Sequence, residues 1–385
     1  MSVDDPPLFT TAEWSPGGRR FGPSRRTTGV CLSAAALLAA FAYDYTSVPS
    51  GTPLVAGWDP VMLDWPFLLA LLVFAWGVVV PLGRNRTPTL RYWARLRADP
   101  AAVAALVGTG LFVVVGAVGP ALLGRPTANA MHISQPPVFA SVDTTTAINC
   151  LGTVTDGRCH GTWRYPLGTS WTGRGVLRLV VGGAHVALKV ALIASLLIVP
   201  LATVVGLTAG YVGGRVETLL LRYVDVQQVL PAFLVYIILQ FYVGRSLFLL
   251  VVVFGLLNWG GVARLVHGEV VQRSEEPFVL AAESAGAGHL SVIRRHVLPN
   301  VSSTVVTAAT RQVPLLILTE AALSFMNLND IDLLSWGEVI AIGLQRSPFV
   351  TWWPWAGALV ALTLTVVAVS VLGDALRDVL DPREA

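Results

Sequence analysis

Arg311 and Glu320 lie nine residues apart inside an otherwise apolar stretch, TVVTAATRQVPLLILTEAALSFM, with Pro314 between them. A charge near the centre of a bilayer costs several kcal/mol, and ionisable side chains at that depth mark ion or substrate pathways. Contact pairs on a helix are three or four residues apart, so these two are not partners of each other. Each is expected to point into a helix bundle or a wet cavity, as candidate lining of a translocation path. Lys189, the only lysine of the chain, stands near one end of another apolar run and is expected to snorkel toward the interface. Cys150 and Cys159 share a polar segment, where a disulfide between them would close a short loop. With the adjacent His160 they also offer a metal site as the sharper alternative, although the spacing matches no zinc pattern.

Other kinds of chemistry lack their residues. A Walker A loop needs lysine directly after glycine, and Lys189 follows Leu188. There is no HExxH, no CxxC and no GxSxG, and the His267 and Glu269 pair has no cysteines downstream for a zinc deaminase site. The six histidines are scattered singly. The chain reads as a non-enzyme with no metal and no cofactor. Its net charge of +3 is dispersed, which gives no footprint for nucleic acid.

Elements that position such groups are set by the solvent, and here the solvent is lipid. Of 385 residues, 54% are hydrophobic and only 13% charged, against about 25% charged in a soluble domain. Runs long enough to cross a bilayer predict eight spans, near 28–43, 62–82, 101–124, 187–210, 226–243, 247–263, 302–325 and 354–373. The fifth and sixth are close enough to form a tight hairpin. The first is read as retained rather than as a cleaved signal peptide. With both termini in the cytoplasm, seventeen arginines fall inside and seven outside, most of the seven in one long loop. Arg19, Arg20, Arg25 and Arg26 open the inside set, and Arg377 and Arg383 close it.

Residues 281–300, AAESAGAGHLSVIRRHVLPN, fall between two such runs on the inside. Ala281, Ala282 and Ala285 favour a helix of little bulk, Gly286 and Gly288 allow a sharp turn, and Pro299 is expected to break the chain before the next span. The second half, with Arg294, Arg295 and His296, suits the membrane surface or an acidic partner.

This stretch resembles the EAA loop of binding-protein-dependent ABC importer permeases. In that pattern EAA is followed by three residues and Gly, and Leu-Pro falls twelve and thirteen residues after the Gly; here Gly286, Leu298 and Pro299 keep the spacing, and Ala281 and Ala282 fill the alanine positions. Leu280 stands where the family has glutamate, and Glu283 is three positions on. YPLGTSWTGRGVL at 165–177 is similar to the PLGTDxxGRD signature of the dipeptide, oligopeptide and nickel group, with Ser170 and Gly175 in place of the aspartates. GLTAGYVGGRVETLLLRYVDV, LNWGGVARLVHGEVV, TEAALSFMNL and LGDALRDVLDP follow in family order, and RYWARLRADPAAVAALVG resembles the N-terminus of the second permease type.

The resemblance implies an all-α integral membrane protein, a six-span type I importer transmembrane domain preceded by two extra N-terminal helices. Residues 1–90 form the extension, 91–124 the first span of the core, 125–180 an extracytoplasmic loop, and 181–385 the permease domain with its coupling loop at 275–300. It implies a permease subunit in the cytoplasmic membrane that works with two ABC ATPase subunits, a second homologous permease and an extracytoplasmic binding protein. Leu280, Ala281, Ala282, Glu283, Gly286, Leu298 and Pro299 would form the ATPase-coupling loop. Peptides are the expected cargo, with nickel chelates or oligosaccharides as alternatives and a channel or secondary transporter as the rival class.

Overall fold

The computed structural model describes residues 25–49, 52–54, 59–328, 334–346 and 348–380. Arg19, Arg20 and Arg383, counted in the charge bias, lie outside these residues. The chain divides into two units, Met1–Thr52 and Pro53–Ala385. The first holds α1 (Arg25–Ser47), an apolar helix on which Phe41 and Tyr45, one turn apart, stack at 6.1 Å.

In the second unit, α2 (Asp64–Phe74) runs through a π-turn, Ala75–Val79, into α3 (Val80–Arg84). The wide turn falls just ahead of Pro81, which has no N–H to give to the preceding turn. A short basic helix, α4 (Arg86–Leu96), leads to α5 (Pro100–Leu123). The start of α5 is written in its sequence: the Asp99 carboxylate accepts from the Ala101 N–H at 2.9 Å, and Pro100 occupies the first helical position. Residues 124–175 then form a small domain around three antiparallel strands, β1 (Ser141–Asp143), β2 (Val154–Thr155) and β3 (Arg158–His160), in the order β1-β3-β2.

From there the chain is helical: α6 (Val176–Val212), α7 (Gly214–Val229), α8 (Ala232–Val243), α9 (Leu247–Leu257), α10 (Gly260–Ser274), α11 (Pro277–Ser284), α12 (His289–Val292), α13 (Leu298–Phe325), α14 (Trp336–Arg346) and α15 (Trp353–Leu380). Among the described residues seven helices or helix pairs are long and apolar enough to cross a membrane, and an eighth crossing is made if α7 and α8 count as one span.

The predicted boundaries change in four places, one being the sixth span, which runs on to Ser274 rather than 263. The fourth span begins at Val176 rather than 187, so α6 is 37 residues, about 55 Å at 1.5 Å per residue. The fifth, expected as a continuous run over 226–243, is broken: α7 and α8 meet at 67°. The cause is local, because a residue before proline avoids helical angles, and Leu230 ahead of Pro231 is extended with ψ 110°. Pro299 does not break its helix. A π-turn at Ile293–Val297 takes up the missing N–H, and the rod runs on from His289 to Phe325.

Helix α6 is the centre of the unit, packed by α5, α9, α10, α13 and α2. Its fully buried Ala187, Val190, Ala194, Ile198 and Ala202 recur at helical spacing along one face. Further along, Gly206 lets α10 approach closely: a Cβ there would sit 2.7 Å from the Ala263 carbonyl oxygen and from Val266. Small residues at such crossings are the usual basis of helix association in lipid, where apolar burial gives no net drive.

Lys189 does not snorkel. It is 3% exposed, and its ammonium is hydrogen-bonded to the carboxylate of Asp64 at the start of α2.

Candidate functional site

The stretch that closes α10 and opens α13 is a helix, a tight turn and a second helix. Pro277 starts α11 at the position where a missing N–H is harmless. Its end is a Schellman turn: the Gly286 N–H donates to the Glu283 carbonyl at 2.8 Å and the Ala287 N–H to the Ala282 carbonyl at 3.1 Å. That geometry requires the left-handed region at Gly286, whose φ is +82°. The Gly of the sequence pattern is therefore a backbone requirement, and among the described residues nothing lies within 4 Å of where its side chain would be.

Four valines, Val279, Val292, Val297 and Val301, have no exposed surface and root the loop in the main core. Ala282 and Ala287, on either side of the turn, are half-buried against the same core. Opposite them a surface is left uncovered. Phe278, Leu280 and Leu290 are all exposed, Leu290 by 69%, and Ala281, Glu283 and Gly286 are exposed beside them. Arg294 and Arg295 are exposed on the following π-turn.

The last turn of α6 reaches this loop. The Tyr211 hydroxyl donates to the Glu283 carboxylate at 2.8 Å and lies 3.2 Å from Nδ1 of His289, with the two rings edge to face at 5.7 Å. One tyrosine thus bridges both sides of the turn. Sequence reading missed it, because Tyr211 is 72 residues from Glu283 and nothing local marks the contact. Leu298 is half-buried against the core and Pro299 is exposed in the first turn of α13.

Arg311 and Glu320 are separated by the fold as well as by their spacing. Glu320 is 1% exposed and accepts a hydrogen bond from Ser324 Oγ at 2.7 Å. Arg311 is exposed on the unit's surface. It shares its face of α13 with exposed Leu315 and Leu318 and with the partly exposed Thr304 and Thr307. The uncovered face of α5 has no such character: Val107, Leu111, Val114, Val118 and Leu122 are all apolar.

In the 124–175 domain Cys150 and Cys159 are disulfide-bonded, their Cα atoms 5.7 Å apart, and Cys159 is buried against Val142, Ala147, Val176 and Trp353. His160 instead meets the Thr155 hydroxyl at 2.6 Å through Nε2. Among the described residues no cluster of three or more His, Cys, Asp or Glu is placed to hold a metal. The PLGT stretch is wired into this domain: Thr169 Oγ1 donates to the His132 carbonyl at 2.6 Å and accepts from the Gln135 N–H at 2.8 Å. Trp353 Nε1, at the start of α15, donates to the Thr169 carbonyl at 2.9 Å.

Residues 202–385 match a family model described as "Binding-protein-dependent transport system inner membrane component". The chain is 35% identical over 217 residues to the dipeptide transport system permease protein DppC of Bacillus subtilis, covering 56% of this chain and 68% of that one. It is 32% identical over 221 residues to the oligopeptide transport system permease protein OppC of Haemophilus influenzae, 56% of this chain and 70% of the other. Against the OppC protein of Escherichia coli K12 the identity is 34% over 221 residues, 56% and 72% of the two chains.

Proposed function

The chain belongs to the family of binding-protein-dependent transport system inner membrane components, and we propose that it is the permease subunit of an ATP-driven importer carrying peptides across the cytoplasmic membrane. It is a multi-pass membrane protein, not an enzyme, and its family works with ATPase and binding-protein partners. The peptide assignment is supported by relatives named as dipeptide and oligopeptide permeases. One observation carries the coupling role: a Schellman turn rooted by four buried valines, which presents Phe278, Leu280, Ala281 and Leu290 uncovered. A rigid element of that kind suits a cleft on an ATPase, because motion is transmitted only where contacts differ between two states.

In this reading both termini and the 275–300 loop face the cytoplasm, and the 124–175 domain faces the binding protein outside. Two ATPase subunits and a second, homologous permease complete the transporter. The exposed face of α13 lines the path between the two permeases. A guanidinium turned to lipid at the bilayer centre costs about 2.5–3.5 kcal/mol on insertion scales, and Arg311 is 13 residues into a 28-residue helix, near its middle. Facing a wet path or a partner avoids that cost, and Arg311→Leu is expected to remove most uptake without altering assembly.

The test is purification of a tagged chain from its native membrane in mild detergent, with mass spectrometry of what co-elutes. ATPase subunits, a second permease and a binding protein that takes up peptides would support the assignment. A chain recovered alone, and still uncrosslinked to any ATPase through Ala281→Cys in a Cys31→Ser background, would overturn it.

A further inference from the structure

Asp64 and Lys189 are 125 residues apart and buried together: the chain's single lysine, on α6, donates to the first carboxylate of α2. Both lie outside the residues matched by the family model. The site is fully built. Asp64 Oδ2 accepts the Val61 N–H at 3.0 Å while Oδ1 takes the ammonium, and the carboxylate stands in the first turn of α2, where the helix dipole favours it. The Lys189 ammonium lies 5.8 Å from the Phe67 ring centroid. The same ring meets His185 edge-on at 5.4 Å, and His185 Nδ1 in turn bonds the Gly116 carbonyl of α5 at 2.7 Å. Around the pair, Leu63 at the cap of α2 and Phe67 and Ala70 on it form a buried stripe, while Leu69 and Val73 on other sides of the helix are exposed. An apolar stripe alone would let this helix slide or detach in lipid, where neither state gains from apolar burial. A buried ion pair fixes one register, because either charge left behind by itself has no water to return to.

We propose that α2 docks on α6 through a charge lock in which Lys189 requires Asp64, making the helix before the permease core an obligatory part of its fold. In this arrangement the α6 surface at His185 and Lys189 is an interface built for one partner, an acidic-ended apolar helix supplied by the same chain.

The lock is tested on the full-length protein by a mutant cycle of Asp64→Asn, Lys189→Met and the two together. Monodisperse protein recovered in mild detergent and its thermal midpoint are the readouts. Docking is followed by maleimide labelling of Leu63→Cys, buried at the contact, against the exposed Met62→Cys, each in a Cys31→Ser background. Each single neutralisation is expected to cut recovery severalfold and to raise labelling at position 63 to that at position 62. The double variant is expected to restore recovery to within about twofold, since a pair replaced by uncharged groups leaves no stranded charge. Single variants indistinguishable from the parent would overturn the lock, as would a double variant no better than the worse single. Loss of recovery with position 63 still protected would overturn the docking role.

Discussion

Both ends of α6 meet a segment that is not a simple helix, and the two segments are held by different means. At Val176 the helix enters a domain closed by a disulfide, three paired strands and buried polar side chains. There Gln135 is satisfied by the Ile148 carbonyl at 2.7 Å and the Leu151 N–H at 3.1 Å. At Tyr211 it meets a turn fixed by two backbone hydrogen bonds and one hydroxyl, with apolar side chains left uncovered. The first segment is closed by its own covalent and hydrogen-bond contacts and holds a shape, although Phe139 and Trp163 stand exposed on it. The second is rooted by Val279, Val292, Val297 and Val301 and presents a surface on its other side, which is what an element completed by another molecule needs.

Changes at the two ends should therefore fail differently. The largest effect is expected from Cys150→Ser with Cys159→Ser, which opens a loop of nine residues' separation and removes about 2.5 kcal/mol of chain-entropy stabilisation. Protease sensitivity of residues 124–175 should rise while ATPase retention in pull-downs stays unchanged; loss of both together would break the contrast. Gly286→Trp forces a bulky residue into the left-handed region, at about 1–2 kcal/mol of strain, and sets it on the presented surface. Transport coupling should be abolished with membrane insertion intact, and Gly286→Asn, which tolerates that backbone, should keep more of it. Equal transport by parent and Trp variant would remove the loop from the mechanism. Leu280→Ala takes away exposed apolar area worth about 1 kcal/mol to a partner, so ATPase subunits should wash off faster while the thermal midpoint of the chain alone is unmoved. Smallest is Tyr211→Phe, the loss of the hydroxyl's two partly solvated contacts, to Glu283 and His289, worth about 0.5–1 kcal/mol together. Amide exchange should quicken over 283–289 and nowhere in the disulfide domain.

Much of this contrast is visible in the amino-acid order, for reasons that differ by residue. The turn at Gly286 is legible because a left-handed backbone leaves a glycine as its local mark, whereas the spacing to Leu298 and Pro299 is legible only as a family resemblance. Leu230 and Pro231 carry such a mark too, but the apolar run over 226–243 outweighed it, since hydropathy registers length and not angle. Tyr211 with Glu283 and Asp64 with Lys189 are invisible at 72 and 125 residues' separation, because no local period encodes a long-range polar contact. The exposure of Arg311 was equally out of reach. An arginine in an apolar helix is the same string of letters whichever neighbours cover that helix.

Pro200 sits inside α6, eleven residues before Tyr211, and the helix passes through it without ending. The ring cannot donate to the preceding turn, so the rod is softest there. With Pro200 as fulcrum, Tyr211 is the tip of a lever arm about 17 Å long, and a tilt of about 10° moves the tyrosine hydroxyl by roughly 3 Å, one hydrogen-bond length. A bend small enough to leave the disulfide domain undisturbed would suffice to let go of Glu283.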